Sequence, residues 1–163
     1  MGRFPAAARA ARSIASVAGC STVHASPAGS AALPPRPPAG ACRVGFVGLG
    51  AMGEGMAACL LRDGFQVTVL GNINRGPVDR LVAAGAVEAP GPLELANEAD
   101  IICLCLPNSD VVEHVIGRMQ PALAPGKTIL DTGTSSLAST AKLGQALAQL
   151  GVGFAEAPLT GGK

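Results

Sequence analysis

The chain has 163 residues, a formal net charge of +1 and 48% apolar residues, which leaves room for one domain of ordinary size with a buried core, plus an appendage. That charge argues against a nucleic-acid-binding protein, which usually shows a basic face, and no stretch approaches the ~18 consecutive apolar residues of a membrane span. The five cysteines form no C-x-x-C pair, and His24 and His114 are isolated in sequence, so no metal site is expected.

Residues 1–40 are rich in Ala, Ser, Arg and Pro, include Arg3, Arg9, Arg12 and Arg36, and precede the first acidic residue, Glu54. Acid-free N-termini rich in Arg and Ser mark organelle transit peptides. Residues 1–40 are therefore expected to be a disordered extension, a transit peptide for mitochondrion or chloroplast followed by a Pro- and Ala-rich linker over 26–40. Two alternatives stand beside this. Val17-Ala18-Gly19-Cys20 resembles a bacterial lipoprotein cleavage box, although the apolar stretch before it is short and interrupted by Ser. A disordered tail with no targeting role would leave the protein cytoplasmic.

Beyond Cys42, short β-rich runs alternate with longer helical ones. Residues 44–47 read as an apolar strand ending in glycines, and 51–62 as a helix stopped by Asp63-Gly64. Residues 66–70 are a second strand, with Val67 and Val69, and 77–84 a short helix with Pro77 in its first turn and Gly85 ending it. A brief edge strand over 86–89 and a helix over 92–99 come next. The run Ile101-Ile102-Cys103-Leu104-Cys105-Leu106 suits a strand covered by helices on both faces. Residues 109–119 read as a helix, 127–130 as a strand opening onto Asp131, 136–150 as a long helix, and 152–155 as the last strand. This alternation predicts an α/β fold with a doubly wound parallel sheet over 41–163.

The segment Gly48-Leu49-Gly50-Ala51-Met52-Gly53 places G-x-G-x-x-G between a strand and a helix. Gly48 permits a tight turn, Gly50 lets the backbone approach a pyrophosphate, and Gly53 lets the helix pack closely on the sheet. Phosphates would then rest on free N–H groups at the positive end of the helix. Among 22 glycines the spacing alone is weak, but its place at the start of an alternating domain makes it a Rossmann-type dinucleotide turn; the plain alternative is a glycine turn without a ligand. An Asp or Glu at the end of the second strand would bind the ribose 2′-hydroxyl of NAD. Here that place reads Leu70-Gly71-Asn72-Ile73-Asn74-Arg75, with no acid before Asp79. Arg75, with Asn72 beside it, suits a 2′-phosphate instead, so the cofactor is expected to be NADP, with NAD possible. For Arg75 the alternative is a solvated loop charge.

With these residues in view, the chain resembles the β-hydroxyacid dehydrogenases: 3-hydroxyisobutyrate dehydrogenase, tartronate semialdehyde reductase and the glyoxylate/succinic semialdehyde reductases, related to 6-phosphogluconate dehydrogenase. The resemblance rests on Gly45 to Gly53 with Met56-Ala57, on Leu106-Pro107, on Asp131-Thr132-Gly133-Thr134 and on Ala157-Pro158-Leu159-Thr160-Gly161-Gly162. It implies that Leu106 and Pro107 lie against the cofactor, that Thr134 lies near the nicotinamide, and that Thr160, Gly161 and Gly162 hold a substrate carboxylate. The ordinary alternative for the last three is a turn after the final strand.

Some positions depart from the family pattern: Gly133 stands where Ser is common, Cys59 where Asn is frequent, and no proline follows Thr134 in Ser135-Ser136-Leu137. The family also has a second, all-helical domain whose lysine exchanges a proton with the substrate oxygen. Lys163 lacks the context of that lysine, so no catalytic residue is expected in this chain, which would be inactive alone. Its partners are expected to be the dinucleotide and, in full-length enzymes, a small hydroxy acid or semialdehyde carboxylate. Surface left by the missing domain would favour self-association. The competing reading is a non-enzymatic dinucleotide-binding module that senses or scaffolds.

Overall fold

A computed structural model describes residues 42–159. The chain order is β1 (Arg43–Val47), α1 (Ala51–Arg62), β2 (Gln66–Leu70), α2 (Arg75–Ala83), β3 (Val87–Ala89), α3 (Pro92–Glu98), β4 (Ile101–Leu104), α4 (Ser109–Met119), a 3-10 turn (Gln120–Ala122), β5 (Thr128–Asp131), α5 (Leu137–Gln149) and β6 (Gly153–Glu156). The six strands form one sheet in the order β3-β2-β1-β4-β5-β6, and every neighbouring pair is parallel. This is the doubly wound arrangement read from the sequence, and its order reverses between β1 and β4.

Side-chain alternation along the strands divides the core into two layers. Val44 and Phe46 of β1, Val67 and Val69 of β2, and Ile101 and Cys103 of β4 pack with Ala57 and Leu60 of α1 and Val78 and Leu81 of α2. The opposite face collects Val47, Ile102, Leu104 and Ile129 under Leu95, Val112, Ile116, Met119, Leu143 and Leu147 from α3, α4 and α5. All four residues of β4 are buried, because a central parallel strand is covered on both sides. Each Val, Leu, Ile or Phe so enclosed contributes about 1.5–3 kcal/mol relative to exposure.

The N-terminal ends of the strands are braced. Arg43 donates to both carboxylate oxygens of Asp100, from Nε (3.2 Å) and Nη2 (2.8 Å), and its backbone N–H adds a bond to Oδ2 (3.0 Å). The Lys127 ammonium donates to three carbonyls at the end of α3, those of Ala96 (2.8 Å), Asn97 (3.2 Å) and Ala99 (2.7 Å). Orphan carbonyls at a helix C-terminus are satisfied there by a cation of the favourable sign. Desolvation lowers the Lys127 pKa from its ordinary value.

Most boundaries shift by a residue from the sequence reading, and three differences bear on the site. The β4 ladder stops at Leu104, opposite Val47, the last residue of β1, so Cys105 and Leu106 begin a loop instead of extending the strand. Helix α2 starts at Arg75, two residues before Pro77, because the Asn74 side chain accepts from the Gly76 N–H and caps it there. Asp131 belongs to β5 and is fully buried. Among the described residues no helix is long and apolar enough to cross a membrane. The expected extension over 1–40 lies outside the described residues.

Candidate functional site

The three glycines of the first turn do different work. Gly48 has φ +94°, and a Cβ there would lie 2.1 Å from the Cys105 carbonyl oxygen. A Cβ on Gly53 would lie 1.9 Å from the Gly48 carbonyl oxygen, against the backbone of the turn itself. The fold alone therefore demands both. Gly50 is the N-cap of α1 with φ −71°, which any residue adopts, and a Cβ there would meet nothing within 4 Å. No contact among the described residues requires glycine at this position, whereas a group approaching the backbone closely would.

Helix α1 starts without a side-chain cap. Its first backbone bond runs from the Glu54 N–H to the Gly50 carbonyl (2.9 Å), so the N–H groups of Ala51, Met52 and Gly53 have no helical acceptor. Leu49 packs partly on the core and Met52 is exposed, forming the rim of the turn. An anion fits this combination of free donors, positive helix end and missing Cβ.

Beyond β2 lies a cleft of about 440 Å³ lined by Leu70, Gly71, Asn72, Arg75, Glu88, Ala89 and Pro90. Arg75 is not free in it. Its Nη1 donates to Glu88 Oε1 (2.5 Å) and its Nη2 to Glu88 Oε2 (2.9 Å), a bidentate pair, with a further bond to Asp79 Oδ1 (3.1 Å). This pair holds the Glu88 carboxyl below and the Arg75 guanidinium above their ordinary pKa ranges. The Asn72 Oδ1 accepts from the Ile73 N–H (2.8 Å) and stiffens the loop. No acid stands between β2 and Asp79 in sequence, yet a carboxylate faces the end of β2: parallel pairing sets Glu88 beside Val69 and brings it to Arg75 from the neighbouring strand.

At the reversal point, the loops after β4 and β5 are stitched together. The Thr132 N–H (2.8 Å) and hydroxyl (2.7 Å) both donate to the Leu104 carbonyl. Asp131 accepts from the Gly133 N–H (2.9 Å) and the Ser135 hydroxyl (2.8 Å), closing the loop on itself and leaving Thr134 exposed at its tip. A Cβ on Gly133 would approach the Leu106 carbonyl oxygen to 2.7 Å, so this departure from Ser fits the close passage of the two loops. The Ser109 hydroxyl accepts from the Ser136 N–H (2.8 Å), joining the start of α4 to the same loop. Gly48, Leu106, Pro107 and Thr134 therefore lie on loops leaving the C-terminal ends of β1, β4 and β5, the crevice where open α/β sheets bind ligands.

Thr160, Gly161 and Gly162 lie outside the described residues, as does Lys163. The Leu159 N–H just before them donates to the Thr132 carbonyl (3.2 Å). Sequence reasoning missed Glu88 as a participant, and it read Asp131 in its motif without the loop-closing role that the hydrogen bonds give it. Asp-Thr-Gly-Thr-Ser carries a local signal, since an Asp that hydrogen-bonds the backbone two residues on is a recognised turn pattern. Nothing local signals Glu88. Among the described residues no group of three or more His, Cys, Asp or Glu is placed to hold a metal ion.

Residues 43–163 match the family described as NAD binding domain of 6-phosphogluconate dehydrogenase. A 2-(hydroxymethyl)glutarate dehydrogenase from Eubacterium barkeri is 36% identical over 123 residues, covering 74% of this chain and 40% of that protein. A cytokine-like nuclear factor N-PAC from Xenopus tropicalis is 32% identical over 123 residues, covering 73% of this chain and 23% of that protein. Among solved structures, Mycobacterium tuberculosis 3-hydroxyisobutyrate dehydrogenase with L-serine superposes with a TM-score of 0.69 at 26% identity, covering 74% of this chain and 41% of that one. The chain spans about 40% of the length of the dehydrogenase relative.

Proposed function

The chain belongs to the family of the NAD binding domain of 6-phosphogluconate dehydrogenase, and on that premise we propose that it is the cofactor-binding part of a β-hydroxyacid dehydrogenase or semialdehyde (glyoxylate) reductase. Gly50 carries this reading: it is the turn glycine that nothing among the described residues explains, at a helix end with free N–H groups. In the proposed complex the pyrophosphate rests on the backbone of Gly48 to Gly53, the adenosine ribose enters the cleft beside Asn72 and Arg75, and the nicotinamide lies towards Leu106, Pro107 and Thr134. When bound, the nicotinamide exchanges a hydride with a carbon that bears a hydroxyl.

The residues of this edge bind and orient. Asp131 is fully buried and already accepts two hydrogen bonds, so it shapes the loop and is not poised to exchange a proton with a substrate hydroxyl. On the family pattern we assign proton transfer to a group other than Asp131, outside the described residues, and expect the 163-residue chain to bind a dinucleotide without turnover. Thr160, Gly161 and Gly162 are proposed to hold a substrate carboxylate, on the family pattern, and residues 1–40 to direct import into an organelle.

Arg75 supports NADP. Glu88 supports NAD as a second reading, because a carboxylate accepts hydrogen bonds from a ribose diol and repels a phosphate. Calorimetric titration with NADPH and NADH, with assays on glyoxylate and succinic semialdehyde, tests the proposal. Binding of either nucleotide supports it, absence of both removes it, and robust turnover by this chain alone would refute the assignment of the proton-transfer group.

A further inference from the structure

We propose that Glu88 is a cofactor-selectivity residue, which penalises a 2′-phosphate by holding the Arg75 guanidinium in a bidentate pair within the cleft beyond β2. The inference rests on the dinucleotide-binding reading above and extends it to a position outside the glycine turn. Three observations carry it.

The pair lies inside the cleft, packed over the chain where it leaves β2. A Cβ on Gly71 would lie 2.3 Å from Glu88 Oε1 and 2.8 Å from Arg75 Nη1, so glycine there is what admits the pair. Both guanidinium edges that face the pair are used, one nitrogen on each Glu88 oxygen, and Asp79 takes a further bond on Nη2. The cluster therefore sets one cation against two carboxylates, a balance of one minus two, or −1. Arg80, the next cation along α2, hydrogen-bonds Glu54 on α1 (2.6 and 2.9 Å) and reaches Asp79 only through space, so Arg75 is the cation that Glu88 holds directly.

A ribose 2′-phosphate entering the cleft brings up to two negative charges to a locally anionic cluster. It must take Arg75 from Glu88 and leave that carboxylate beside it, and like charges brought together in this way disfavour the complex. An unphosphorylated ribose makes no such demand. Its 2′- and 3′-hydroxyls donate, and Glu88 is an acceptor that keeps its charge because Arg75 lowers its pKa. Substituting Glu88→Gln retains the shape, removes one negative charge and loosens the hold on Arg75, which keeps its bond to Asp79.

The experiment is titration of the full 163-residue chain with NADPH and NADH, unmutated and as Glu88→Gln, Arg75→Gln and the double variant. Glu88 and Arg75 are surface residues, and thermal melts check that each variant folds. Glu88→Gln is expected to shift the ratio of NADPH to NADH affinity by about tenfold towards NADPH. Arg75→Gln should weaken NADPH, and in the double variant the gain from Glu88→Gln should vanish. A ratio that stays within about twofold on Glu88→Gln, with both nucleotides still bound, overturns the proposal alone; a gain that persists without Arg75 overturns the mechanism through that residue. If the unmutated chain binds neither nucleotide, the dinucleotide reading falls and this proposal with it.

Discussion

Replacing the three turn glycines one at a time by alanine separates what the fold needs from what a ligand needs. In Gly53→Ala the new methyl would sit 1.9 Å from the Gly48 carbonyl oxygen. That neighbour is backbone at the end of a central strand and cannot swing aside, so α1 must lift from the sheet. Overpacking of this kind costs about 1–3 kcal/mol. Gly48→Ala adds a left-handed conformation, with φ +94°, to a 2.1 Å approach to the Cys105 oxygen. The backbone term is roughly 1–2 kcal/mol, and with the overlap the total is about 2–5 kcal/mol.

Gly50→Ala meets nothing, and only the poorer N-cap propensity of Ala acts against it, at below about 1 kcal/mol. In urea, with a slope of about 2 kcal/mol per M, Gly48→Ala should lower the midpoint by about 1–2.5 M and Gly50→Ala by less than about 0.5 M. Calorimetry should then show the reverse order for the folded variants. Gly50→Ala is expected to weaken dinucleotide binding by at least about tenfold, because its methyl occupies the approach of the pyrophosphate. The reasoning fails if Gly50→Ala is as unstable as Gly53→Ala, or if it binds like the parent.

Lys127→Met should lower stability by about 1–3 kcal/mol, since three helix-end carbonyls lose a charged donor; an unchanged urea midpoint would remove the clamp from the account. Asp100 has its pKa lowered, first by the hydrogen bonds from the Arg43 side chain. A carboxylate with a depressed folded pKa stabilises above its unfolded value and loses that contribution as pH falls through the folded one. The gap in urea midpoint between the parent and Asp100→Asn should therefore narrow below about pH 4, and a gap constant down to acid would contradict the pairing. Burial pushes the Cys42 and Cys103 thiols up to about 11 and about 12. With iodoacetamide at mildly alkaline pH, the partly exposed Cys59 and Cys105 should be alkylated well before them. Peptide mass spectrometry reads the order, and equal labelling of Cys103 in the folded protein would show that β4 is not closed on both faces.

The α/β alternation, the parallel sheet and the glycine turn were legible because each depends on local pattern: apolar runs of strand length, helical spacing, and glycines at fixed offsets. What escaped depends on register. Whether Glu88 points into the β2 cleft is decided by its pairing with Val69, nearly twenty residues back in the chain, and no local rule carries that information. The run ending at Leu106 looked like a single strand because hydrophobicity does not record that β1 stops at Val47 and leaves Cys105 without a further ladder partner. Helix α2 was read from its proline although Asn74 caps it earlier, so two valid start signals competed and the side-chain cap won. The Asp131 loop was half visible: the motif was read, but that its carboxylate is fully enclosed and ties Gly133 to Ser135 required the packed sheet.

The bracing at the N-terminal ends of the strands also has a kinetic meaning. Arg43 with Asp100, and Lys127 with the end of α3, fasten β1, α3, β4 and β5 at one edge of the sheet, while the opposite edge is finished in glycines and short hydroxyl-bearing loops. Local openings are drawn from regions with few buried contacts. Hydrogen exchange should therefore run as a gradient along each strand: the amides of Val44 and Ile101 would wait for the whole domain to open, and those of Gly50 and Thr134 would exchange through small excursions of their loops. If that gradient holds, the loop end can open for a long, two-lobed ligand while the clamped end keeps the core undisturbed.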